Sequence, residues 1–101
     1  MEEQRAGAPF LEAVVRQLVY PLGAPSPLGE REAREQVIEL LRLAEEDVSP
    51  TRSLRAAERM IENPVLLSVV FQNIDLLYEY GYPGADALSV AVMTALGRLE
   101  M

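Results

Sequence analysis

The sequence predicts an all-α fold, a compact bundle of about five helices, arranged as helical hairpins with no sheet, in a single domain of 101 residues. Three observations carry this expectation. Apolar residues recur at the i, i+3, i+4 spacing of a helical face through most of the chain. Proline and glycine fall mainly between these runs, where they punctuate. No stretch of useful length alternates with the two-residue period of a strand. Half of the residues are hydrophobic, too many for a disordered acidic tail.

The first eight residues read as a short N-terminal arm (1–8). A first helix follows from Phe10, with Leu11, Val14, Val15 and Leu18 on one face and Glu12 and Arg16 opposite. It should stop near Tyr20, because Pro21 disfavours helical geometry in the residue before it. Residues 21–29, rich in Pro and Gly, form the next loop. The second helix runs from Glu30 to about Asp47, with Ala33, Val37, Leu40, Leu41, Ala44 and Val48 in an unbroken apolar stripe. Ser49-Pro50 and Asn63-Pro64 each read as N-cap and first helical residue, since the side-chain oxygen accepts an orphan N–H and proline has none to orphan. They open a third helix, Pro50 to Glu62, and a fourth, Pro64 to Tyr80, which Gly81 ends as a left-handed stop. The last helix begins after Tyr82-Pro83-Gly84 and continues to about Leu99. Its Ala87, Ala91 and Ala95 make a small-residue strip, and Gly97 is read as a second aid to close helix packing.

Composition excludes much chemistry. The chain has no Cys, His, Lys or Trp. A disulfide scaffold, a thiolate nucleophile, an imidazole base or ligand and a Schiff-base amine are therefore all ruled out. The nine basic residues are all Arg, and against 16 acidic ones they leave a net charge of −7, which opposes binding to nucleic acid. The opening Met-Glu-Glu-Gln carries none of the basic and apolar character of a secretory leader, and no apolar run reaches the length of a membrane span. A cytoplasmic protein with no cofactor, no metal and no catalytic residue is expected.

The helical segments carry more apolar surface than so short a bundle requires. Ten of the fourteen residues from Val65 to Tyr78 are apolar, and Ser68, Gln72, Asp75 and Glu79 leave only a narrow polar stripe. From Ala87 to Leu96 eight of ten are apolar. Spare apolar surface implies a partner, and a second copy is the simplest one. Two clusters would rim such a face. Arg52, Arg55 and Arg59, at i, i+3 and i+7, form a basic stripe in a segment of net charge +1 (49–63), between flanks of −5 (1–48) and −3 (64–101). Tyr78, Tyr80 and Tyr82, with Leu77 beside them, gather where the fourth helix ends, and tyrosine is enriched among interface hot spots.

Several short segments resemble known families. Leu40, Leu43, Ala44, Ala56 and Met60 resemble the spacing of a tetratricopeptide unit, and a 34-residue offset aligns Val37, Leu40 and Leu43 with Phe71, Ile74 and Leu77. Asp47 stands where that family has an aromatic residue, and Pro64 is out of place. Any two amphipathic hairpins of equal length align in this way, so no repeat is inferred. Gly84-Ala85-Asp86-Ala87-Leu88 resembles the carrier-protein signature, but Ala87 occupies the position of the serine that would hold phosphopantetheine. Asp75-Leu76-Leu77-Tyr78-Glu79-Tyr80 resembles the paired-tyrosine segment of acidic helical immunity proteins, which implies an inhibitor of a basic enzyme. Glu32 and Glu35, with Glu39 one turn on, resemble the Glu-x-x-Glu helix of all-α nucleotide pyrophosphohydrolases, which implies Mg²⁺. Those enzymes need a second acidic pair, and Glu58 with Glu62, or Asp75 with Glu79, depart from its spacing.

The leading expectation is a small acidic protein-interaction module, a subunit, adaptor or assembly chaperone acting through an apolar helix face as a homodimer. The immunity-type antagonist is the alternative and the Mg²⁺-dependent pyrophosphohydrolase a further one.

Overall fold

A computed structural model describes residues 2–20, 28–46 and 54–100. These residues form five α-helices and no strand: α1 (Glu2–Val19), α2 (Glu30–Glu46), α3 (Leu54–Glu62), α4 (Pro64–Glu79) and α5 (Ala85–Glu100). α1 packs most extensively on α4, and α3 on α5, while α2 lies against α1, α3 and α5. The principal pairs are therefore distant in sequence, and the two halves do not stack as repeated hairpins. Val37 and Phe71, equivalent under the 34-residue offset, have opposite environments: Val37 is buried and Phe71 exposed. The assembly is a thick disc, 38 × 37 × 20 Å.

Residues from all five helices build one core. Its largest enclosed side chains are Phe10, Leu40, Met60, Leu77 and Leu88, and Ala56, Ala57, Ala91 and Ala95 are fully buried beside them. Alanines on α3 and α5 let these two helices approach closely. The expected alanine strip of α5 is thus in use, although Ala87 at its start is only partly buried. Gly97 is exposed and a Cβ there would meet no neighbour within 4 Å, so no close helix contact requires glycine at this position.

The sequence-predicted punctuation operates at α4. The Asn63 side chain accepts a hydrogen bond from the Leu66 N–H at 3.3 Å, Pro64 is the first helical residue, and the chain bends by 118° between α3 and α4. At the other end Gly81 has φ +71, the left-handed conformation that glycine adopts without a Cβ clash. The Tyr82 N–H then reaches the Leu77 carbonyl at 2.8 Å and the Gly81 N–H the Tyr78 carbonyl at 3.2 Å, which is the Schellman pattern. The second helix ends within one residue of its expected limit, and Leu28 and Gly29 form the non-helical lead into it. The expected cap Ser49-Pro50 and most of the loop 21–29 lie outside the described residues.

The N-terminal arm is a correction. α1 begins at Glu2 and continues through Pro9, so residues 2–8 are helical. A proline inside a helix forfeits one backbone hydrogen bond and crowds the preceding turn, a cost of about 3 kcal/mol. Burial on both sides of Pro9 offsets it: Phe10 is fully enclosed, and Gly7 is buried beneath the Tyr82 ring. A Cβ at Gly7 would lie 2.9 Å from Tyr82 Cε1, and one at Gly84 would lie 2.7 Å from Tyr82 Cε2. The ring is therefore seated between two glycines, one on each side.

This seat yields a prediction. Gly7→Ala raises helix propensity by about 1 kcal/mol but intrudes on the ring, so it should destabilise the protein by about 1–3 kcal/mol. In a Tyr82→Ala background the same change should be neutral or stabilising. Denaturant melts of the four chains in this double-mutant cycle measure the reversal.

Candidate functional site

The three tyrosines around the end of α4 were expected to act together, and the fold separates them. Tyr82 turns inward: besides its seat on Gly7 and Gly84, its hydroxyl donates to Glu45 Oε1 on α2 at 2.6 Å. Tyr78 stays half-exposed at the last turn of α4, and its hydroxyl donates to Asp86 Oδ1 at the start of α5, 2.9 Å away. Tyr80 is exposed in the turn between the two helices. Leu77 requires correction as a surface residue. It is fully buried, because it falls on the core face of α4 with Leu66, Leu67 and Val70. An adjacent position in sequence is 100° away around the helix, which is why proximity to the tyrosines misled.

The basic row is described only in part. Arg52 lies outside the described residues; Arg55 and Arg59 are exposed on α3. Arg59 borders an open groove of about 590 Å³ between α2 and the α3–α4 bend, walled by Glu32, Glu35, Glu39 and Glu62. This brings together the acidic helix face of α2 and one of the two glutamates considered as its second pair. Among the described residues, however, no three acidic side chains converge closely enough to hold a metal ion. Arg42 donates to Glu39 at 2.6 Å, and that bond, supported by the fields of Arg59 and Arg55, holds the Glu39 carboxyl below the usual carboxylate range. The basic row therefore stands close to an acidic wall of its own chain.

Ion pairing is densest on the outer side of α2. The Arg34 guanidinium takes Glu12 of α1 in a two-point grip, 2.6 and 3.1 Å, and also reaches Glu30 at 3.2 Å. The hydrogen bonds from Arg34 hold the Glu12 carboxyl below its ordinary value, and the two carboxylates favour the charged guanidinium in return. Arg42 pairs with both Glu39 and Glu46. Between Arg34 and Arg42 the exposed Ile38 stands over a second groove of about 510 Å³, lined by Leu11, Leu41 and Tyr82. Between α1 and α4, Gln17 and Asn73 exchange amide hydrogen bonds of 3.3 and 3.2 Å that fix the two helices against each other.

Most of the apolar surplus expected on the last two helices is absorbed into the core. What remains outside is Val65, Phe71 and Tyr78 on α4, Met93 and Leu99 on α5, and Tyr80 between them. Phe71 and Tyr78 are seven residues apart and so share one edge of α4, beside the polar stripe of Ser68, Gln72, Asp75 and Glu79. Phe71, Met93 and Ile38 were not singled out from the sequence. The signal for Ile38 was present, since it falls off the apolar stripe of its own helix; Phe71 and Met93 lie inside long apolar runs that hide which positions face outward.

Compared with known protein families, curated proteins and solved structures, the chain matches none.

The carboxylates of Glu12 and Glu39 titrate lower in the folded chain than their ordinary value of 4.5. Their ion pairs therefore favour the fold at pH values above 4.5, and that contribution fades as the pH falls through the lowered pKa. Because the groups are exposed, the effect is small and screened by salt. Arg34→Gln should return the Glu12 carboxyl toward its ordinary range while leaving Glu39 in place, which carboxyl-resolved NMR titration measures directly.

Proposed function

We propose that the chain is a small protein-interaction module of the cytoplasm, a subunit, adaptor or assembly chaperone that binds and does not catalyse, and that works as a homodimer. The observation that carries this reading is the aromatic edge of α4. With 23 apolar residues enclosed in the core, Phe71 and Tyr78 are still 51% and 49% exposed on the same edge, and Tyr80 in the following turn is 53% exposed. Aromatic side chains that bring large contact area at small entropic cost suit a recognition surface. The edge is firmly mounted: Asn73 ties α4 to α1, the Schellman turn fixes its end, and Tyr78 is anchored to α5 through Asp86. A rigid mount lowers the ordering cost of binding. The absence of Cys, His and Lys from the whole sequence supports binding over covalent or acid–base chemistry.

A second reading, the antagonist of a basic enzyme, is supported by the groove beside α2. Four glutamates face a single arginine there, in a chain of net charge −7. Binding through this wall would be steered by exposed charge and would weaken steeply with salt. Binding through the aromatic edge would depend little on salt.

Replacing Phe71 and Tyr80 together by Ser tests the first reading. Both are exposed, so the thermal melt should shift by no more than about 0.5 kcal/mol in stability. A partner captured from an extract of the source cells by the parent chain should be lost by this variant and retained by Val65→Ser. Retention by both variants, with loss on raising salt, would favour the acidic groove.

A further inference from the structure

The same reading leaves open which face joins two copies, and the charge order along α2 answers it. We propose that two chains pair through the outer face of α2, antiparallel and about a two-fold axis at Ile38. This inference rests on the reading of the protein as a dimer, but it uses a surface separate from the aromatic edge of α4.

Ile38 is the middle residue of the 17-residue α2, and it is 48% exposed. The residues sharing its face are Arg31 and Arg34 on one side and Arg42 and Glu45 on the other. In an antiparallel pair related by a two-fold axis, positions equally distant from the centre come opposite each other. Ile38 then meets Ile38 of the second copy. Seven residues out on either side, Arg31 faces Glu45 of the second copy, and Glu45 faces its Arg31. The like-charged arginines at the intermediate positions, Arg34 and Arg42, are already matched within their own chain, Arg34 by Glu12 and Glu30 and Arg42 by Glu39 and Glu46. They can approach without an uncompensated positive charge. Arg31, with a side chain 93% exposed and a loose 3.5 Å pairing to Glu35, can exchange that partner for one across the interface.

Shape agrees with charge. Ile38 both projects from α2 and borders the groove between α1 and α2, whose floor is Leu11, Leu41 and the Tyr82 ring over Gly7. Knob and hole therefore belong to one patch, the condition for an interface in which each copy presents the same surface. Like net charge on the two copies disfavours a purely acidic meeting face, and this one carries three arginines.

Sedimentation equilibrium of the full chain over a concentration series tests the proposal. The parent chain should approach twice the monomer mass. Ile38→Glu should weaken the dimer by roughly tenfold or more, while its thermal melt matches that of the parent at dilutions where both chains are monomeric, because the residue is exposed. Arg31→Glu should also weaken it, by setting Glu against Glu45, and R31E/E45R should restore it. Since Glu45 also accepts the Tyr82 hydroxyl, the melt of the double variant reports any cost to the fold separately. A parent chain that stays monomeric, an Ile38→Glu chain that still dimerises, or dimerisation lost instead in F71S would each overturn the proposal. The first of these results leaves the aromatic edge as a binding site for another protein, which the capture assay decides on its own.

Discussion

Tyr82 is the point through which four of the five helices are referred to one another. Its backbone N–H closes the end of α4 on the Leu77 carbonyl, and its own carbonyl accepts the N–H of Ala85 as α5 begins. Its ring lies on Gly7 of α1, and its hydroxyl reaches Glu45 of α2. A single residue thus fixes the exit of one helix, the entry of the next and the distance of two others. Each of these contacts needs the others. Without the left-handed Gly81 the backbone would not turn to bring the ring to α1, and without bare Cα atoms at positions 7 and 84 the ring would not fit. Helix α1 can then carry Pro9 in its interior because both of its flanks are held by burial.

Both proposed working surfaces are consequences of that arrangement. Tying α5 back at Gly84 places Asp86 where Tyr78 can bond to it, so the aromatic edge of α4 is held at its lower end by the start of α5. Tying α2 in through Glu45 gives the groove between α1 and α2 its aromatic lining. The ion pairs on α2 add position more than stability. Arg34 fixes the lateral spacing of α1 and α2 by its two-point grip on Glu12, while exposed, salt-screened pairs of this kind contribute little to stability.

What the sequence disclosed follows from the range of the physics involved. Helix ends depend on local chemistry, so Asn63-Pro64, Gly81 and the breaks around 29 and 83 were legible within a residue or two. The N-terminal end of α1 was not, because the signal there comes from Tyr82, seventy-five residues away, and a local reading sees only Pro9 as a breaker. The same distinction governs the candidate residues. The tyrosine cluster is real in sequence, yet three tyrosines at alternate positions across a helix end must point to different neighbours once the helix stops and the chain turns. Leu77 was placed with them by proximity along the chain, although its helical phase already put it with Leu66 and Val70.

The apolar surplus shows where composition misleads. Counting apolar residues in α4 and α5 treats each helix as if it had one face to bury, but α4 is covered by α1 on one side and α5 on another, and α5 by α3, α2 and α4. A helix with several neighbours can bury well over half of its circumference. The residues that matter for recognition are therefore those outside the union of all these contacts, and that union is fixed by tertiary pairs such as α1 with α4. On α2, with charged residues on its outer face, one isoleucine in the wrong phase is more informative than ten apolar residues on α4. Ile38 lies at the margin of the buried stripe of α2, half covered beside Leu11 and Leu41, and the arginines a turn to either side of it are paired with glutamates of their own chain. An apolar side chain held in that setting suits contact with another surface, and the order of charges around it is the ground on which a second copy of the same helix is proposed.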